Sequence, residues 1–148
     1  MSNEAGRPLL LVVEDNAVVR RALERQLAAN GYQVVAAESA SEAIHAVSAH
    51  QPDLMILDLK LDAAWLDSMR GGFTMLSWLR RMLPDCNFPI IIYTSDDSAF
   101  VDETAQAAGI YAVYRKSDSL AHLLDGVRQA LEQFPSQTPP ETAAEEVA

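Results

Sequence analysis

The chain has 148 residues, 49% of them hydrophobic, and a formal net charge of -10. That length fits one domain with a real core and leaves nothing for a second, while the acidic balance argues against general affinity for nucleic acid or anionic membrane, which attract basic surfaces. A single cysteine, Cys86, excludes an intrachain disulfide framework; it reads as a buried or incidental thiol in a reducing compartment.

Met1 to Pro8 reads as a flexible N-terminus without a hydrophobic signal core, and no apolar run approaches the length of a membrane span. A cytoplasmic protein is the expectation. Leu9 to Val13 is an unbroken apolar run, read as a first strand, and it ends in Glu14-Asp15-Asn16. Val19, Ala22, Leu23 and Leu27 then recur at helical spacing up to Asn30-Gly31, with Gly31 just past the helix end. Tyr32 to Ala37 is a short β-rich run, and Ser39-Ala40-Ser41-Glu42 offers a capping box for a helix carrying Ile44 and Val47.

Pro52-Asp53 introduces Leu54 to Leu57, too short for a typical helix and apolar throughout, and Asp58 follows where this third strand leaves the core. The stretch from Leu59 to Gly72 is long for a strand-to-helix connection. A third helix is expected from Phe73 through Leu76 and Leu79 to Pro84-Asp85, and Pro89 to Tyr93 reads as a fourth strand ending in Thr94-Ser95. A polar helix with a weak apolar stripe is expected over Ser98 to Ala108, then a short fifth strand, Ala112 to Tyr114. The last helix has the clearest apolar face, with Leu120, Leu123, Leu124, Val127, Leu131 and Phe134, and Ser117 or Asp118 as its cap. Pro135 to Ala148, with three Pro, three Glu and no basic residue, reads as a disordered acidic tail.

Strands apolar on both faces belong to parallel sheets covered by helices, and ligands of such sheets bind beyond the carboxyl ends of the strands. The pattern therefore predicts an α/β sandwich with right-handed crossovers and a site at one rim. Glu14, Asp15, Asp58, Thr94 and Lys116 all follow or end strands, so three acids, a hydroxyl and an ammonium converge there. Clustered carboxylates repel unless a cation joins them, and hard oxygen donors suit Mg²⁺. Such a set fits phosphoryl transfer, in which a cation and a Lys neutralise charge and a carboxylate is the nucleophile. Taken singly, each residue has a blander reading: Glu14, Asp15 and Asn16 as a helix cap, Asp58 as the first polar residue after a strand, Thr94 as a turn hydroxyl, Lys116 as a solvated charge.

The acid pair after LLLVV, Asp58 after DLMIL, Thr94-Ser95 after PIIIY and Lys116 after the fifth strand occur in an order that resembles a response-regulator receiver domain of two-component signalling, over about Leu9 to Phe134. The resemblance implies a flavodoxin-like (βα)5 three-layer sandwich with strand order 2-1-3-4-5. It implies that Asp58 accepts phosphate from a sensor histidine kinase or histidine phosphotransfer protein. Asp15, Asp58 and the backbone carbonyl of Lys60 would then ligate Mg²⁺, with Glu14 acting through water, and Thr94 and Lys116 would contact phosphoryl oxygens.

Several positions depart from the family. The loop after Asp58 lacks the usual Pro and exceeds the ordinary short connection by roughly six residues. Its Trp65, Leu66 and Met69 either fold back or form a partner or homodimer contact. Ser117 replaces the Pro that usually follows the lysine. Val113 stands where receivers generally carry an inward-swinging aromatic, flanked by Tyr111 and Tyr114, with Tyr114 on the opposite strand face. Output is therefore expected through the Ser98 to Ala108 helix, the loop around Asp96 to Ala99, or the insertion. Lys60 and Asp96 are expected to line the phosphate entrance and to pair there.

The reading is a stand-alone receiver that is no enzyme in its own right and signals to a downstream protein target, as a relay intermediate, diffusible regulator or phosphate sink. The alternatives are a degenerate receiver acting as an interaction module and an aspartate-nucleophile phosphatase resembling the haloacid dehalogenase group. That group places a second acid two residues after the nucleophile, where this chain has Lys60.

Overall fold

A computed structural model describes residues 6–58, 88–95, 99–107 and 109–134. The expectations for Lys60, Trp65, Leu66, Met69, Cys86 and Asp96, for the third helix and for the acidic tail lie outside these residues. Within them the elements run β1 (Leu9–Val13), α1 (Ala17–Ala29), β2 (Gln33–Ala37), α2 (Ala40–His50), β3 (Leu54–Leu57), β4 (Ile90–Thr94), α3 (Ala99–Ala107), β5 (Ala112–Arg115) and α4 (Leu120–Gln133). The strands form one sheet in the order β2-β1-β3-β4-β5, all pairs parallel. This is the flavodoxin-like arrangement expected from the sequence. Among the described residues no helix is long and apolar enough to cross a membrane.

The central strands are unbroken apolar runs because each strand feeds two cores. Leu10, Val12, Leu54, Ile56, Ile91 and Tyr93 pack with Leu23 and Leu27 of α1 and with Leu123, Val127 and Ala130 of α4. Their alternate neighbours, Leu11, Val13, Met55, Leu57, Ile90 and Ile92, pack with Ala43 and Val47 of α2 and Val101 of α3. The period-two alternation of a strand thus distributes one sequence run between two helical layers. Val113 joins the second core and Tyr114 the first, as the alternation requires.

Helix ends follow local chemistry. The Asn16 side chain accepts from the backbone N–H of Val18 and Val19 at 2.9 and 3.0 Å, and Gly31 takes the positive φ of 93° that reverses the chain after α1. Ser39 Oγ accepts from Glu42 N at 3.2 Å, but the Glu42 carboxylate reaches the N–H of Glu38 rather than that of Ser39, so the box is one residue wider than expected. The cap of α4 is Ser119, which accepts from Ala121 N at 3.0 Å. Ser117 and Asp118 are instead taken up by a turn in which Asp118 N donates to Arg115 O.

The face of α4 also differs from the sequence reading in its centre. Leu123, Val127 and Ala130 are buried, Leu120, Leu124 and Leu131 are partly buried, and Phe134 sits edge-on to Tyr111 with centroids 5.9 Å apart. Gly126 is buried directly against the Tyr114 ring, in the space where any larger residue would place its Cβ. Small residues thus mark where this helix comes closest to β5. Gly126→Ala is expected to lose about 1 to 3 kcal/mol in urea unfolding through overpacking. The same substitution in a Tyr114→Leu background should cost much less, a coupling that a double-mutant cycle measures.

Candidate functional site

The sheet's ladder hydrogen bonds continue one residue past the strands and place the site. Glu14 N donates to Ala37 O at 3.0 Å, Asp58 N to Val13 O at 3.0 Å and Lys116 N to Thr94 O at 2.8 Å. Each of these backbones is therefore held by a neighbouring strand, so Glu14, Asp58, Thr94 and Lys116 meet at the carboxyl edge. Glu14 and Asp58 are 2% and 4% exposed and Thr94 is fully buried. Asp15 faces solvent at the mouth. One carboxylate oxygen from each of Glu14, Asp15 and Asp58 lies within 4.8 Å of the others.

Lys116 closes the pocket. Its Nζ stands 2.8 Å from Glu14 Oε1 and 3.4 Å from Asp58 Oδ2, and the ammonium lies 6.0 Å from the centre of the Tyr93 ring. A single ammonium serves two buried carboxylates, and the consequences appear in the titration of Glu14, Asp15 and Lys116. Burial pushes Glu14 up to about 7, with the nearby Asp58 charge adding to it and the hydrogen bond from Lys116 only partly opposing. Asp15 is raised by partial desolvation and then by Asp58. Burial acts to lower Lys116, but the hydrogen bond to Glu14 and the charges of Asp58 and Glu14 together outweigh it and hold Lys116 above the ordinary lysine value. The pocket carries more negative charge than one ammonium neutralises, and its donors are hard oxygens.

The bland reading of the acid pair fails for a local reason. Asn16 alone supplies the helix cap, and its own N–H donates to Glu14 Oε2 at 3.2 Å. Glu14 and Asp15 are turned away from the first turn of α1 and into the rim.

Three residues that the sequence reading passed over also border the site. Tyr93 lies beneath Lys116. Arg20, in the first turns of α1, reaches back over the acid pair. Arg115, paired in register with Thr94, forms a two-pronged ion pair with Asp102 of α3, at 2.9 and 3.4 Å. The rule that helical side chains lean toward the N-terminus would have pointed to Arg20. For Arg115, adjacency to the site lysine was the available signal.

Comparison with known proteins agrees with this geometry. Residues 10–128 match the family model of the response regulator receiver domain. The chain is 33% identical over 139 residues to the response regulator MprA of Mycobacterium tuberculosis and to that of Mycobacterium leprae. Each match covers 94% of this chain and 55% or 56% of the relative, so the chain spans about half the length of the curated relatives it matches. Among solved structures, a two-component response regulator of the LuxR family from Aurantimonas sp. SI85-9A1 superposes with a TM-score of 0.74 at 25% identity, covering 95% of each chain. A CheY-like receiver domain protein from Methanospirillum hungatei JF-1 gives a TM-score of 0.73 at 22% identity, over 86% of this chain and 95% of the other, a likeness of fold. With the sheet order, the acid cluster and the strand-end lysine already in place, the chain belongs to the response regulator receiver domain family.

Proposed function

We propose that this chain receives a phosphoryl group on Asp58 from a histidine kinase or a histidine phosphotransfer protein, in a reaction that needs Mg²⁺, and passes the signal on through protein contacts. The observation that carries the reading is the buried Asp58 carboxylate, held against Lys116 and flanked by Glu14 and Asp15. The three carboxylates fit a hard divalent cation by donor chemistry and by charge, since one ammonium leaves the pocket negative. Glu14, Asp15 and Asp58 would hold the ion, which would neutralise charge on the transferring group.

In the proposed step an Asp58 carboxylate oxygen bonds to phosphorus while the bond from phosphorus to an imidazole nitrogen of the donor breaks. The nitrogen keeps the electron pair and takes up a proton. Lys116, already at the Asp58 carboxylate, would shift to a phosphoryl oxygen, and the Thr94 hydroxyl would donate to another. Output would run through α3, because Arg115, the register partner of Thr94 and the residue before Lys116, ties the end of β5 to Asp102. With Val113 at the usual aromatic position, this ion pair is a polar link from rim to helix beside the core that Val113 shares with Val101.

Incubation with acetyl phosphate and Mg²⁺ should give one phosphoryl adduct by intact-protein mass, absent without Mg²⁺ and absent in Asp58→Ala. Failure of the wild type to form the adduct or to bind beryllofluoride would overturn the reading in favour of a phosphorylation-independent interaction module.

The raised Glu14 sets a pH dependence. A carboxyl whose pKa rises from 4.5 in the unfolded chain to about 7 in the fold contributes stability to the metal-free protein that is fully present below 4.5 and lost as pH rises through about 7. Mg²⁺ competes with that proton, so the rise in melting temperature on adding Mg²⁺ should be larger at pH 8 than at pH 6. Glu14→Gln should flatten the metal-free dependence between those values.

A further inference from the structure

The Arg20 guanidinium is placed where a helix has no structural need of it. The first turn of α1 is already capped by Asn16, and Arg20 N makes its ordinary bond to Asn16 O at 2.9 Å. Its side chain leans back along the helix. Nη1 donates to Glu14 O at 3.0 Å, lies 3.5 Å from Asp15 O, and stands 3.9 Å from Glu38 Oε1 in the connection between β2 and α2. The Arg20 side chain is 17% exposed and its contact with Glu14 O is partly buried, while the contacts to Asp15 O and Glu38 lie at the surface.

What the contacts fix is the acid pair. A carbonyl direction sets the tilt of its peptide plane, and the tilts at Glu14 and Asp15 set where their two carboxylates point. Glu14 is otherwise held by one ladder bond to Ala37 O and, at its carboxylate, by the Asn16 N–H and the Lys116 ammonium. For Asp15, Arg20 is the cation closing over its carbonyl among the described contacts. The Glu38 arm anchors the guanidinium to the far side of the same rim.

From this geometry we infer that Arg20 is a positioning residue for the cation site, orienting Glu14 and Asp15 through their carbonyls while touching neither the ion nor the phosphoryl group. The inference rests on the proposed Mg²⁺ site. Mg²⁺ demands near-ideal octahedral donors, so small errors in carboxylate placement weaken it. All three contacts are made by Nη1, whose two N–H groups lie in the guanidinium plane and so point in fixed directions, unlike those of a rotating ammonium.

The test is titration of the unphosphorylated full chain with magnesium chloride, by calorimetry and by amide NMR signals, on wild type, Arg20→Met, Arg20→Lys and the exposed control Arg21→Met, with melting temperatures in EDTA alongside. Arg20→Met should bind Mg²⁺ about tenfold or more weakly, as outer-shell changes typically do. Arg20→Lys should be intermediate and Arg21→Met unchanged. The Glu14, Asp15 and Asn16 amides of Arg20→Met should already be shifted in EDTA. Mg²⁺ affinity within about twofold of wild type in the folded Arg20 variants, well short of the usual outer-shell effect, overturns the inference, whatever happens to melting; if Arg20→Met does not fold, Arg20→Lys decides. Absence of Mg²⁺ binding by the wild type itself would instead overturn the site reading on which the inference stands.

Discussion

The parallel register of β1 on β3 is the constraint from which the rest of the rim follows. Val13 pairs with Leu57, so the next residues, Glu14 and Asp58, leave the sheet side by side. Both strands are buried on both faces, and a slip of one residue would send each side chain into the opposite core. The distance between the two acids is thus held by the packing of the whole domain, with no contribution needed from the acids themselves. The same logic places Lys116, whose N–H bonds to Thr94 O one step beyond the pairing of Thr94 with Arg115.

Such packing is needed because the site works against the fold. Two carboxylates taken out of water beside one ammonium are an unfavourable arrangement, and the upward displacement of Glu14 is its direct expression. The apolar strands below offset that cost. Lys116 stays charged despite its burial, since the neighbouring acids outweigh its desolvation. A rim built in this way suits an added positive ion by its charge and its hard oxygen donors.

The strands were legible because both faces of the sheet are covered. That is why LLLVV, LMIL and IIIYT stand out as unbroken apolar runs. The rim residues were legible as strand-end positions, although the roles of Asp58, Thr94 and Lys116 came from family resemblance. Other features were decided by geometry that sequence patterns do not carry. Ser117, Asp118 and Ser119 are all competent caps, and a turn closed by Arg115 O selected the last of them. Apolar periodicity marked the large residues of α4 but gave no weight to Gly126 and Ala130, at its closest approach to the sheet. Arg20, Tyr93 and Arg115 border the site through side-chain paths that begin on elements assigned to other tasks.

The placement of the rim groups has a kinetic consequence. Glu14, Asp58, Thr94 and Lys116 follow or end four different strands, and every neighbouring pair in this sheet is joined by a crossover rather than a tight hairpin. Parallel pairings of this kind are non-local and form slowly, after their loop-closure entropy has been met. A partly collapsed chain that has docked β1 on β2 possesses an acid pair but neither Asp58 nor the lysine beside it. The four rim groups are therefore gathered only when the last strand has joined the sheet, and a partly folded copy of the chain lacks the assembled site.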